Sequence, residues 1–199
     1  MKLLVDTDAF CKLQMAGLLD EAVGLLAAGL HECGRLPALP HMLRRGRLRR
    51  LFGADVCDAM IPVADAVPVM HQPNVTWLDK LAPIEAIDPG EAQIFAAAAE
   101  AGLIVLSGDK RALRALKGVD GFADALAGRV VVLEAILLAL CDHLGLDAIR
   151  QRVAPLAVAD QAVRVCFSVG NADPAAALRS YLGALQTEAH PLVLWKPRE

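Results

Sequence analysis

Along the chain, short apolar runs alternate with longer stretches in which apolar residues return every three or four positions. Leu3-Leu4-Val5 is a run of the first kind, closed by Asp6, and predicts a buried parallel strand that delivers a polar residue at its carboxyl end. From about Ala9 to Leu30 the spacing is helical, with interruptions at Gly17 and Gly24, and predicts two helices. Prolines and a glycine between Gly34 and Pro40 mark a connection, after which Met42 to Phe52, including RRGRLRR, predicts a helix with Leu43, Leu48 and Leu51 turned inward. Asp55 to Met60 continues or restarts it. The stretch from Pro62 to Trp77 is punctuated by Pro62, Pro68 and Pro73 and predicts no definite element.

The sharpest local signal is Asp88-Pro89-Gly90-Glu91. Asp at the N-cap, Pro at the first helical position and Glu at the third form a capping box, and Gly102 suits the left-handed residue that ends a helix, so the pattern predicts a helix over about 89–101. Leu103 to Leu106 then predicts a second buried strand, Asp109 to Lys117 a helix, and Val130 to Leu133 a third strand. Beyond Leu133 the chain reads as helical, with a clear start at Asp173-Pro174. Strands separated by helices imply βαβ units, a parallel sheet and an α/β fold.

Composition adds little to this order. The chain of 199 residues is 56% hydrophobic but only 4% aromatic, so the core must come from aliphatic helix faces packed on short strands. A net charge of −3 supplies no global attraction to nucleic acid, and any such contact needs a local basic patch. Arg44, Arg45, Arg47, Arg49 and Arg50 are the dense basic block. They read either as a solvated helix surface or as sequence-independent contacts to phosphates, and the lack of interleaved aromatics argues against base stacking. Five cysteines without ligand spacing predict buried, reduced thiols, and the acidic residues close behind Met1 leave no secretory h-region, so a cytoplasmic protein is expected. Val130 to Cys141 is too short for a bilayer span, which takes about 20 residues, so no membrane partner is expected.

Three carboxylates stand where an element begins or ends: Asp6 after the first strand, Glu91 in the first turn of a helix, and Asp109 after the strand LIVL. In a parallel α/β sheet these positions share one rim, where ligands bind. Each acid also has a local explanation as a cap or first-turn acid. The five histidines are scattered without metal-ligand spacing, and nucleophile-elbow, P-loop and dinucleotide motifs are missing.

Taken together, LLVDTDAF, IDPGEAQIFAAA and IVLSGDKRAL resemble the acidic motif series of the PIN-domain family over roughly residues 1–135. The resemblance implies a three-layer α/β PIN-like fold, a central parallel sheet flanked by helices, with residues 136–199 as a helical C-terminal extension packed on the same domain. It also implies a divalent-metal-dependent ribonuclease, with Asp6, Glu91 and Asp109 as catalytic and metal-binding acids around Mg²⁺ or Mn²⁺ and Ser107 in the hydroxyl position before the last acid. The family's second acid, usually a Glu in the region that reads LPALPHMLRRGRL here, has no counterpart, since no carboxylate lies between Gly34 and Ala54. Asp8, Asp55 or Asp58 could replace it, and Asp8 is the nearest in sequence to Asp6.

Hard divalent ions explain why acids rather than His or Cys are expected, because they prefer carboxylate oxygens and activate a water for attack on a phosphodiester. RNA is the expected substrate, a small antitoxin-like protein a partner by analogy with PIN toxins, and the C-terminal helices a cap, a homodimer surface or a partner site. Two alternatives compete. One is a degenerate PIN-like domain that binds RNA or protein without cutting. The other is a haloacid-dehalogenase-like phosphatase, with Asp6 as nucleophile and Asp8 as acid/base, although Ala9 and the missing acid after Asp109 fit it poorly.

Overall fold

The computed structural model describes residues 1–26 and 29–197. Its strands are β1 (Leu3–Val5), β2 (Cys33–Gly34), β3 (Ile104–Ser107) and β4 (Val130–Val132). Among the described residues they form one sheet in the order β2-β1-β3-β4, every pair parallel. The first half of the chain supplies α1 (Thr7–Met15), α2 (Leu19–Leu25), α3 (Leu39–Arg44), α4 (Arg47–Phe52), α5 (Ala54–Ala66), α6 (Val75–Leu81) and α7 (Pro89–Ala101). After β3 come α8 (Lys110–Leu116) and α9 (Phe122–Ala125). After β4 come α10 (Leu133–Leu144), α11 (Leu146–Val153), α12 (Gln161–Cys166) and α13 (Pro174–Ala189).

Strand periodicity divides the interior into two layers. Leu3 and Val5 of β1, Leu106 of β3 and Val131 of β4 face a core with Phe10, Leu13, Leu43, Met60, Ile136 and Leu140. Leu4, Val105, Val130 and Val132 face the other, with Phe95, Leu113, Leu116 and Phe122. The fold is therefore α/β with helices on both faces of a parallel sheet, the arrangement that buries apolar strands completely. Helix α10 leaves β4 without a loop, and Ile136, Leu137 and Leu140 lie in the same core as β1 and α1. The expected division at 135/136 falls inside this helix.

Several elements depart from the sequence pattern. Gly24 lies within α2 and does not interrupt it, because the neighbouring Ala22 and Val23 are buried by tertiary packing. The arginine-rich stretch is two helices rather than one. The chain turns at Arg45-Gly46, with Gly46 at φ +97°, and the phase of α4 then buries Leu48 and Phe52 and leaves Leu51 exposed. Helix α5 runs through Pro62, and α6 occupies part of the stretch that the prolines made unreadable.

Strand β2 is only two residues long. A Cβ at Gly34 would meet the ends of the Met1 and Leu4 side chains, which would have to shift to admit it. The open edges are covered: Arg35 bridges Val69 beyond β2, and Leu194 bridges Val130 beside β4.

Candidate active site

The sheet order reverses between β1 and β3, since the chain goes from β1 outward to β2 and then returns to the other side of β1. At such a switch point the carboxyl ends of the two central strands open a crevice between diverging crossovers. Asp6 follows β1, with its N–H donating to the carbonyl of Leu106, and Ser107-Gly108-Asp109 follows β3. Glu91 enters the same region from the first turn of α7. The structure thus brings Asp6, Glu91 and Asp109 to one rim, and a cavity of about 600 Å³ there is lined by Asp6, Thr7, Met42, Asp88, Glu91 and Gln93.

Each acid performs the local capping task that its position suggests. Oδ1 of Asp6 accepts from the N–H of Thr7, Oε2 of Glu91 accepts from the N–H of Asp88 at 2.7 Å, and Oδ1 of Asp109 accepts from the N–H groups of Arg111 and Ala112. Those bonds engage one oxygen of each carboxyl. The second oxygen of Asp109 lies 3.8 Å from the guanidinium of Arg111. Capping and ligand binding are therefore compatible in the same side chains.

Burial and crowding shape the charge of the cluster. Burial, with the nearby charges of Asp8, Asp88 and Asp109, pushes the Asp6 carboxyl up to about 7 against the pull of the Thr7 N–H. Burial and the adjacent Asp109 push Glu91 up to about 8, despite its bond from the Asp88 N–H. Burial acts on Asp109 in the same sense. The N–H of Ala112, the hydrogen bond with Glu91 and the N–H of Arg111 outweigh it, and Asp109 is held below the usual carboxylate range. Glu91 is thus favoured in its neutral form and Asp109 in its charged form, opposite pushes on two crowded carboxyls.

The remaining expected residues lie elsewhere. Asp8 stands in the first turn of α1, with Oδ2 2.6 Å from Nζ of Lys12. A side chain at Gly108 would collide with that oxygen, so glycine is what lets Asp8 lie against the end of β3. The phosphatase alternative needs Asp8 free to serve the leaving group, and its outer oxygen is engaged by Lys12 instead. Asp55 and Asp58 are on α5, and Asp58 is bound through both oxygens by Arg49. Arg44 pairs with Asp65 at 3.1 Å. Arg45, Arg47 and Arg50 are exposed without a side-chain ion pair among the described residues.

Sequence reasoning passed over four charged residues near the carboxyl ends of the strands. Lys12 is buried between Asp8 and Asp160, with its Nζ 2.7 Å from the latter. Lys110 lies 2.5 Å from Glu134, which is almost fully buried directly after β4. The i,i+4 spacing of Asp8 and Lys12 is a legible signal, and so is the placement of Glu134 one residue beyond an apolar strand. Asp160, 148 positions from Lys12, has none. All five cysteines are buried with free thiols.

Oxygen-only donors suit Mg²⁺ or Mn²⁺ in kind. In spacing, no three His, Cys, Asp or Glu side chains among the described residues are grouped so as to hold one ion. No helix among the described residues is long and apolar enough to cross a membrane. Comparison with protein-family models, curated proteins and solved structures gave no match.

Proposed function

We propose that the protein is a divalent-metal-dependent phosphodiesterase of the PIN type that cleaves RNA. The observation that carries this reading is the meeting of Asp6, Glu91 and Asp109 at the switch point of a parallel sheet, each held there by a capping bond to a backbone N–H. The motif resemblance supplies the reaction class, and the chemistry of the donors supplies the ion.

When bound, a divalent ion neutralises charge on the phosphate and acidifies a water for in-line attack. Asp6 and Asp109 would hold it through the oxygens not committed to N–H groups. Glu91, whose neutral form burial and Asp109 favour, would join them on losing its proton. The helix starts at Asp6, Asp88 and Asp109 hold these carboxyls in place before substrate arrives. Arg45, Arg47 and Arg50, on and just before α4, offer exposed cations for the phosphates of a strand, and Met42 in the preceding α3 lines the acidic cavity.

The test is cleavage of a mixed RNA pool by purified protein with Mn²⁺, Mg²⁺ or chelator, beside Asp109→Asn. The substitution keeps the shape and the cap, and the expected result is loss of cleavage with the fold intact. Equal cleavage in chelator, or by the Asn protein, would refute the metal-nuclease reading.

A second reading, RNA or protein binding without catalysis, is favoured by one feature: α3 carries no carboxylate, and the three acids are not already spaced around an ion. No bound Mn²⁺ and no cleavage would select it.

A further inference from the structure

Beside the acids, the cavity of about 600 Å³ is bordered by a residue whose hydroxyl nothing in the fold uses. Thr7 opens α1, and its backbone N–H donates to Asp6. The residue lines the cavity and is only 8% exposed, and its Oγ1 is buried without a hydrogen-bond partner. Burying a hydroxyl unpaired is unfavourable, and an orphan of this kind beside a cavity points to a ligand that completes it. No hydrogen bond fixes its χ1, and a helical Thr has more than one χ1 position open to it, so the hydroxyl can turn to an occupant. Gln93, half-buried in α7, adds a side-chain amide to the same lining.

The lining sets the chemistry of that occupant. Asp6, Asp88 and Glu91 are acids, and no Lys, Arg or His among the described residues lines the cavity, so a phosphate is repelled there while a neutral group with N–H donors is accepted. Leu36, Met42 and Pro89 supply apolar surface, and a Met thioether packs well against an aromatic ring. Gly90 keeps space open, since a Cβ there would stand 3.0 Å from Cδ1 of Leu36. A flat neutral ring that carries an amino group answers all of these features, and hydroxyl, amide and carboxyl side chains are the groups that read the edges of such rings. The phosphates on either side of the ring would meet cations outside the cavity, because Arg45, three positions beyond Met42, is exposed.

We infer that the cavity is a pocket for a nucleobase with an exocyclic amine, adenine or cytosine rather than uracil, with the Thr7 hydroxyl and the Gln93 amide as its hydrogen-bond partners. This rests on the RNA reading above and deepens it, since the pocket then selects the base next to the cleaved phosphate.

The test titrates adenosine, cytidine, uridine or spermidine into isotope-labelled protein in chelator, and follows the backbone amide of Thr7 and the side-chain amide at position 93 by NMR. Unaltered protein, Thr7→Val and Gln93→Leu are compared, with thermal unfolding of each. Val keeps the shape of Thr and the N–H that donates to Asp6. Saturable shifts are expected with adenosine and cytidine and much weaker ones with uridine, and loss of one hydrogen bond in Thr7→Val should weaken binding about fivefold. Because the lost hydroxyl has no partner in the fold, the unfolding temperature of Thr7→Val should be equal or higher.

Nucleoside binding without cleavage of any RNA would leave the base pocket standing and defeat the nuclease reading. Metal-dependent cleavage with no response to any nucleoside would do the reverse. Equal affinities in all three proteins, equal affinity for uridine, or a lower unfolding temperature of Thr7→Val would overturn the inference and return the hydroxyl to a structural role. A response to spermidine alone would also overturn it, and would mark a site for a cationic amine.

Discussion

Replacing Asp6 with Asn should stabilise the protein in chelator, and increasingly so as pH rises. Asn retains the oxygen that accepts from the Thr7 N–H, so the cap survives while the buried charge is removed. Burial and neighbouring acids raise Asp6 from 3.8 to about 7, which means that the fold prefers its neutral form. A raised carboxyl gives the folded state its full relative stability below pH 3.8, and that contribution is lost as pH climbs to about 7.

At about 1.4 kcal/mol per pH unit the penalty is about 2 kcal/mol at pH 5 and about 4 kcal/mol at pH 8. For a chain of this size the upper figure corresponds to a gain of about 10 °C in unfolding temperature. Urea unfolding of both proteins at pH 5 and pH 8, with chelator and with Mn²⁺, measures it. Mn²⁺ should narrow the gap at pH 8, because the ion binds the charged form that the metal-free fold resists. Equal pH dependence in the two proteins would refute the reasoning, since Asp6 would then titrate as an ordinary exposed carboxyl.

Other expectations follow from particular contacts. Replacing Arg45, Arg47 and Arg50 together with Ala should weaken RNA binding and flatten its salt dependence, read by fluorescence anisotropy across a salt series, with the unfolding temperature nearly unchanged because all three are exposed. Asp88→Ala removes the oxygen that accepts from Gly90 and Glu91 and should lower stability by about 1 kcal/mol in urea unfolding. Any change in RNA cleavage beyond the fraction unfolded would show that Asp88 also positions Glu91.

Much of the framework was determined locally. Strands β1, β3 and β4, the capped helix α7 and the α13 start at Asp173 could be read from the chain, because apolar runs, capping residues and Gly102 act through neighbours a few positions away. The positions of Asp6, Glu91 and Asp109 on one rim followed from the same rules, since parallel strands put their carboxyl ends together. What only the tertiary structure decided rests on distant partners. The short β2 pairs with β1 through Leu3–Cys33 and Leu4–Gly34, and α5 runs through Pro62 with Met60 and Ala64 on either side of it buried. The arginine stretch breaks at Gly46, and its two halves then meet Asp58 and Asp65 of α5. The opposite pushes on Glu91 and Asp109 and the link from Lys12 to Asp160 belong to the same class. Electrostatic pairing in a buried site depends on distance and dielectric in space, and neither is encoded in spacing along the chain.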